Sequence, residues 1–168
     1  MRPWRAQSPR LIRINIAPTA GARLSGMSNP AAKLLTYAVR TRRMDALGSE
    51  ASCKEARITL DTGMPGRSDA FNPAELLLAA LSACIIKGIE RIAPIIKFDF
   101  RGVEVRLSGV RQDAPPKMAR IDYEILVDTD ESEHKLELLH QNVRSYGTVF
   151  NTVAPGTALA GTLRRRTQ

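Results

Sequence analysis

Apolar residues alternate with polar ones in several short runs and recur at helical spacing in two longer ones, a mixture that predicts an α+β domain. In "LLTYAVRTRR", residues 34–43, Leu35, Tyr37 and Val39 share one face, which predicts a strand. "DALGSE" reads as a turn and "CKEARITL" as a second strand. Ala56, Ile58 and Leu60 point inward there, Cys53, Glu55, Arg57 and Thr59 share the other face, and Lys54 fits neither. Glycines and Pro65 make "DTGMPGRSDAF" a loop. A long helix follows, ending near Arg91 because Pro94 cannot continue it.

Beyond it, "IKFDFRGVEVRLSGV" places Phe98 and Phe100 on one face and then Val103, Val105 and Leu107 in the opposite phase, so a β-bulge is expected at Gly102. "RIDYEILVD" pairs back with Ile121, Tyr123, Ile125 and Val127 in register. A second helix is predicted over 131–146, capped by Asp130 with Glu133 completing a capping box. Leu136, Leu139 and Val143 form its apolar stripe, and Gly147 ends it. "TALAGTLRR" adds a last strand, for the order ββαββαβ.

The start of the long helix is strongly specified. Asn72 is a good N-cap, Pro73 sits at the first helical position, and Glu75 can reach back to the cap nitrogen. Phe71 and Leu76 stand at hydrophobic-staple positions. From Leu76 to Ile86 the helix is apolar nearly all round, so burial on most sides is expected. Ala80, Cys84 and Gly88 recur every four residues, a small-residue edge that lets a strand, a helix or a ligand approach closely.

Composition alters this picture little. A chain of 168 residues reads as one domain, residues 31–168, after a basic extension over 1–30. Residues 1–26 hold five arginines and no acidic residue, which resembles a transit segment, but "MSNPAAK" from Met27 would make an ordinary start. Of the net charge of +8, only +3 remains from Met27 onward, and Arg164, Arg165 and Arg166 account for it. With the body balanced and no RNA-binding glycine loop or aromatic platform, nucleic acid is not an expected partner. No window reaches the ~20 apolar residues of a membrane span. A soluble, cytoplasmic protein is the expectation, and the cysteine usage fits a reducing compartment.

Cys53 and Cys84 match no zinc spacing, and His134 and His140 lie far from both, so neither metal nor cofactor is expected. The two histidines read as solvated or packing residues, and Ser82 and Ser145 lack a visible base. Cys84 is either a small core residue or a nucleophile. A free thiol is only about 3% ionised at pH 7, and making thiolate the main form takes roughly 3.4 kcal/mol. A guanidinium within ~4 Å supplies about 4 kcal/mol at an effective dielectric of 20. A reactive Cys84 therefore needs an arginine from elsewhere, for which Arg43 is in phase with the inward residues and Arg42 is not. Glu75 lies about 13 Å from Cys84 along the helix and on its opposite face, so it can help only across a subunit interface.

These residues resemble a known family. "NPAELLLAALSAC" resembles the motif opening the central helix of the osmotically inducible protein C / organic hydroperoxide resistance (OsmC/Ohr) family, and "LDTGMPGRSDAF" the loop before it. "YGTVFNTV" resembles the family's second-cysteine segment, with Val149, Asn151 and Thr152 in matching places. The resemblance covers roughly residues 34–165. It implies an intertwined homodimer with antiparallel sheets around two central helices and active sites between the subunits. It also implies that Cys84 is the peroxidatic cysteine, that the family's arginine falls at Arg42 or Arg43, and that Glu75 belongs to the site.

This chain departs from the hydroperoxide branch in two ways. Gly147 stands where that branch has its second cysteine, and Ala74 where it has its glutamate, a pattern that fits a less characterised branch. The implied activity is thiol-dependent reduction of organic hydroperoxides with an external thiol as reductant. The alternative is a non-catalytic, stress-related protein of the same fold that binds an apolar small molecule. Cys53 is the other candidate to resolve Cys84, but its phase with Glu55, Arg57 and Thr59 argues against an inward thiol.

Overall fold

The computed structural model describes residues 34–166. The chain divides into two units, Met1–Tyr37 and Ala38–Gln168. The described residues of the first, 34–37, carry no regular element, and the expected basic extension over 1–30 lies outside the described residues.

The second unit holds two three-stranded sheets. The first comprises β1 (Arg40–Arg43), β2 (Gly48–Cys53) and β3 (Ala56–Asp61), paired antiparallel in sequence order. After it come α1 (Pro73–Ile96), β4 (Gly102–Gln112), β5 (Lys117–Asp128), α2 (Glu133–Tyr146), α3 (Thr148–Val153) and β6 (Ala158–Arg165). The second sheet has the order β4-β5-β6, antiparallel between β4 and β5 but parallel between β5 and β6. A parallel pair needs a long crossover, and α2 with α3 supplies it. The α+β class holds, while the order gains a strand and a short helix and one sheet is mixed rather than antiparallel.

The differences have local causes. The predicted strand over 34–43 is confined to Arg40–Arg43, because its neighbour β2 ends at Cys53, opposite Ala56, and offers no backbone to pair with earlier residues. The second half of "DALGSE", Gly48 to Glu50, is strand rather than turn, as part of β2. Lys54, with φ 53°, forms the hairpin turn between β2 and β3, which explains why it fits neither face of one continuous strand. No bulge occurs at Gly102: Phe98 and Phe100 belong to the connection before β4, and the ladder irregularity lies at Val110 and Arg111.

Helix α1 runs past Pro94 to Ile96. Proline in the last turn forfeits one hydrogen bond, to the carbonyl of exposed Glu90, while Ile92 and Ala93 gain burial. Lys97 then closes the helix in the left-handed region, with Phe98 N–H also donating to the Ala93 carbonyl at 2.9 Å. The cap of α2 is Ser132, whose hydroxyl accepts the Lys135 N–H, and not Asp130, which instead binds Arg101 at 2.6 Å.

The core lies between the second sheet and the helices. Leu81, Ile85, Ile89 and Ile92 of α1 meet Ile121, Tyr123, Ile125 and Val127 of β5 and Leu136, Leu139 and Val143 of α2. The first sheet contributes no residue to this cluster. Contrary to the expectation of near-complete burial, α1 has an open side carrying Ala80, Ala83 and Ile86, because no described element of the chain covers it. Among the described residues no helix is long and apolar enough to cross a membrane.

Candidate functional site

The capping box of α1 forms as its sequence predicts. The Asn72 side-chain oxygen accepts the N–H groups of Ala74 and Glu75 at 2.9 and 3.0 Å, and Glu75 Oε2 accepts the Asn72 N–H at 2.9 Å. Glu75 thereby holds the end of the helix, facing away from Cys84 within this chain.

Cys84 is half-buried. A second helix fills the Gly88 end of the small-residue edge on which it sits, while Ala80 at the other end stays exposed. A Cβ on Gly88 would meet the Val143 side chain at 3.6 Å, so α2 approaches the bare backbone of α1 there. One turn back along α1, Gly147 faces Cys84: a Cβ at Gly147 would stand 3.6 Å from Sγ. The same Cβ would lie 2.9 Å from Cβ of Phe150 and 3.1 Å from the Val143 carbonyl, so the corner between α2 and α3 closes tightly only with glycine.

That corner is pinned from both helices. Asn151 donates its N–H to the Gly147 carbonyl at 2.8 Å and its Nδ2 to the Ser145 carbonyl at 3.0 Å. Arg91 of α1 donates to the Tyr146 carbonyl at 3.0 Å and lies 5.8 Å from the centre of the Tyr146 ring. Sequence reasoning missed Arg91, although its position seven residues after Cys84 puts it on the same side of the helix two turns on.

Arg42 and Arg43 occupy opposite faces of β1. The ladder sets Arg43 beside Ser49 and Leu60, and Thr41 beside Ala51 and Ile58, so Arg43 belongs to the apolar face of the first sheet. Arg42 lies beside Glu50 and lines a groove with Arg40, Ser52 and Arg57. Cys53 pairs with Ala56 and therefore shares the face of Ala51 and Ile58, not that of Arg57 and Thr59. The turn at Lys54 resets the alternation, which corrects the phase expected for an unbroken strand.

Three of the remaining polar candidates have structural partners. Ser82 and Ser145 donate to the carbonyls of Ala79 and Gln141, and His134 is exposed. His140 is half-buried, its Nε2 2.9 Å from the Tyr123 hydroxyl, with the Tyr123 ring edge-on to both His140 and Phe150. Burial pushes Tyr123 above its ordinary value, partly offset by Arg144, whereas burial and then Arg144 lower His140.

Known proteins complete this picture. The family description "OsmC-like protein" matches residues 66–160, and the chain belongs to the OsmC family. An OsmC-like protein from Mycoplasma pneumoniae superposes with a TM-score of 0.73 at 17% identity, over 79% of this chain and 99% of that one. The organic hydroperoxide resistance protein OhrB of Bacillus subtilis has a TM-score of 0.60 at 14% identity, covering 79% and 100%. An organic hydroperoxide resistance protein OsmC from Legionella pneumophila has a TM-score of 0.60 at 17% identity, covering 78% and 98%. At these identities the likeness is one of fold. No curated protein matches the chain significantly.

Proposed function

We propose that this protein is a thiol-dependent reductase of organic hydroperoxides, working as a homodimer with Cys84 as its nucleophile. One observation carries the reading: the segment resembling the family's second-cysteine region stands against the Cys84 sulfur, with Gly147 facing it. Solved structures of similar fold that are named for organic hydroperoxide resistance support the substrate class.

The Cys84 thiolate attacks the O–O bond, taking the distal oxygen as sulfenic acid while the alkoxide leaves and is protonated to the alcohol. With glycine at 147, no thiol from the α2–α3 corner intercepts that species. An external thiol condenses with it to a mixed disulfide and water, and a second thiol releases Cys84 as thiolate. The cycle thus takes two electrons from two external thiols and delivers them to the peroxide.

The open side of α1 supports the dimer. Ala80, Ala83 and Ile86 are exposed on it, as are Ile58 and Phe71 elsewhere, and a second copy would cover such a surface. In that assembly the apolar face of the first sheet, carrying Arg43, is the one suited to lie over the partner's helix. Arg43 is then the guanidinium that favours the thiolate, and Glu75 joins the site across the interface.

The test is to trap the sulfenic acid. One equivalent of cumene hydroperoxide followed by dimedone should label Cys84 and leave Cys53 unlabelled, as read by peptide mass spectrometry. Labelling of Cys53 alone, or none at Cys84, contradicts the proposal.

A further inference from the structure

The first sheet carries a second candidate site on the face opposite Arg43. The ladder sets Arg40, Ser52 and Arg57 abreast on β1, β2 and β3, with Arg42, Glu50 and Thr59 in the next row of that face. Adjacent strands lie about 4.8 Å apart, so these side chains project from one small area. Arg40, Arg42, Glu50, Ser52 and Arg57 line a groove of about 210 Å³.

Its charge is not neutralised. Glu50 accepts Nη1 of Arg57 at 2.8 Å. Among the described residues, the Arg42 guanidinium hydrogen-bonds only to the Met44 sulfur, at 3.6 Å, and neither it nor Arg40 has a carboxylate partner. Residues 1–33 contain no aspartate or glutamate to balance them. Three guanidinium groups thus face one carboxylate, leaving two positive charges. The Ser52 hydroxyl, which donates to the Arg40 carbonyl over a long 3.4 Å, is at hand as a further donor.

We propose that this groove binds a phosphate monoester group. Such a group carries between about −1.5 and −2 charge at pH 7, close to the excess in the groove. Guanidinium forks bind its oxygens two at a time, which lysine cannot do. A single carboxylate ligand would balance only half of the excess. The site is independent of the thiol chemistry, since it lies on the other face of β1 from Arg43.

The test uses the full chain and two probes, glycerol 3-phosphate by calorimetry and phosphatidic-acid vesicles by sedimentation. Binding of either should weaken about tenfold or more in Arg40→Gln/Arg57→Gln. It should tighten in Glu50→Gln, which frees Arg57 from its internal partner, a gain that misfolding cannot mimic. Whichever probe behaves so identifies the source of the phosphate, soluble metabolite or lipid headgroup. Binding of neither probe, or an equal loss in the charge-matched Arg111→Gln/Arg120→Gln variant, overturns the proposal.

Discussion

Gly147 faces Cys84 so closely that a single added carbon would stand 3.6 Å from the sulfur. The distance ties the end of α2 to the middle of α1 at the one point where a thiol is present. It also makes the glycine a packing requirement, because Phe150 and the Val143 carbonyl crowd the same space.

Gly147→Ala should therefore destabilise the protein by about 1–3 kcal/mol through overpacking, read as a lower urea midpoint. Gly147→Cys should be similarly weakened when reduced, yet should form a disulfide with Cys84 on mild oxidation, seen as a peptide cross-link by mass spectrometry. A variant as stable as the parent would mean the corner is looser than described.

Glu75 has a capping role that its chemistry must be separated from. Loss of the Asn72 cap in Asn72→Ala should cost about 0.5–2 kcal/mol. Glu75→Gln keeps a side-chain acceptor for the Asn72 N–H, so it should cost less than Glu75→Ala in thermal unfolding. If Glu75 also serves the site, Glu75→Gln should lower peroxide turnover far more than it lowers stability.

Arg43 and Arg42 are neighbours that the sheet turns to opposite sides. If Arg43 is the guanidinium at the sulfur, as proposed, alkylation of Cys84 at pH 6 should slow at least about tenfold more in Arg43→Ala than in Arg42→Ala, because losing a guanidinium at ~4 Å forfeits several kcal/mol. Equal effects would assign the role to neither.

The Tyr123–His140 pair predicts a pH signature. Burial lowers His140 in the folded state, so the unfolded chain binds its proton first. The stability it contributes is complete above the ordinary value of 6.5 and is lost as the pH falls through the folded value. Tyr123 acts in the other direction: burial raises it, so its contribution is complete below 10.0 and is lost as the pH rises further. Urea unfolding of His140→Gln against pH should be flatter than the parent on the acid side, and Tyr123→Phe flatter on the alkaline side.

How much of this was legible depends on how local the signal is. Asn72, Pro73 and Glu75 write the helix start within four residues, and the alternation of Ile121, Tyr123, Ile125 and Val127 writes β5, because both patterns are complete in one stretch of chain. β2 was hidden because Gly48, Ser49, Ala51 and Ser52 are small and offer no apolar alternation, although Ser49 and Ala51 are buried. The phase of Cys53 was misjudged because one left-handed residue, Lys54, separates two strands that read as one.

The site was legible in part. Cys84 and its small-residue edge were visible as spacing along α1. That α2 packs on the Gly88 end of the edge, with Gly147 at the sulfur, is a relation between segments about sixty residues apart, which no local pattern encodes. The apolar composition of α1 predicted burial that this chain alone does not provide, and a partner subunit would reconcile the two.

The central claim is best tested by the consumption of cumene hydroperoxide with dithiothreitol or a dithiolane as reductant, comparing the protein with Cys84→Ser. Rapid turnover that Cys84→Ser abolishes is the predicted result. Turnover no faster than that of Cys84→Ser with either reductant would contradict the account.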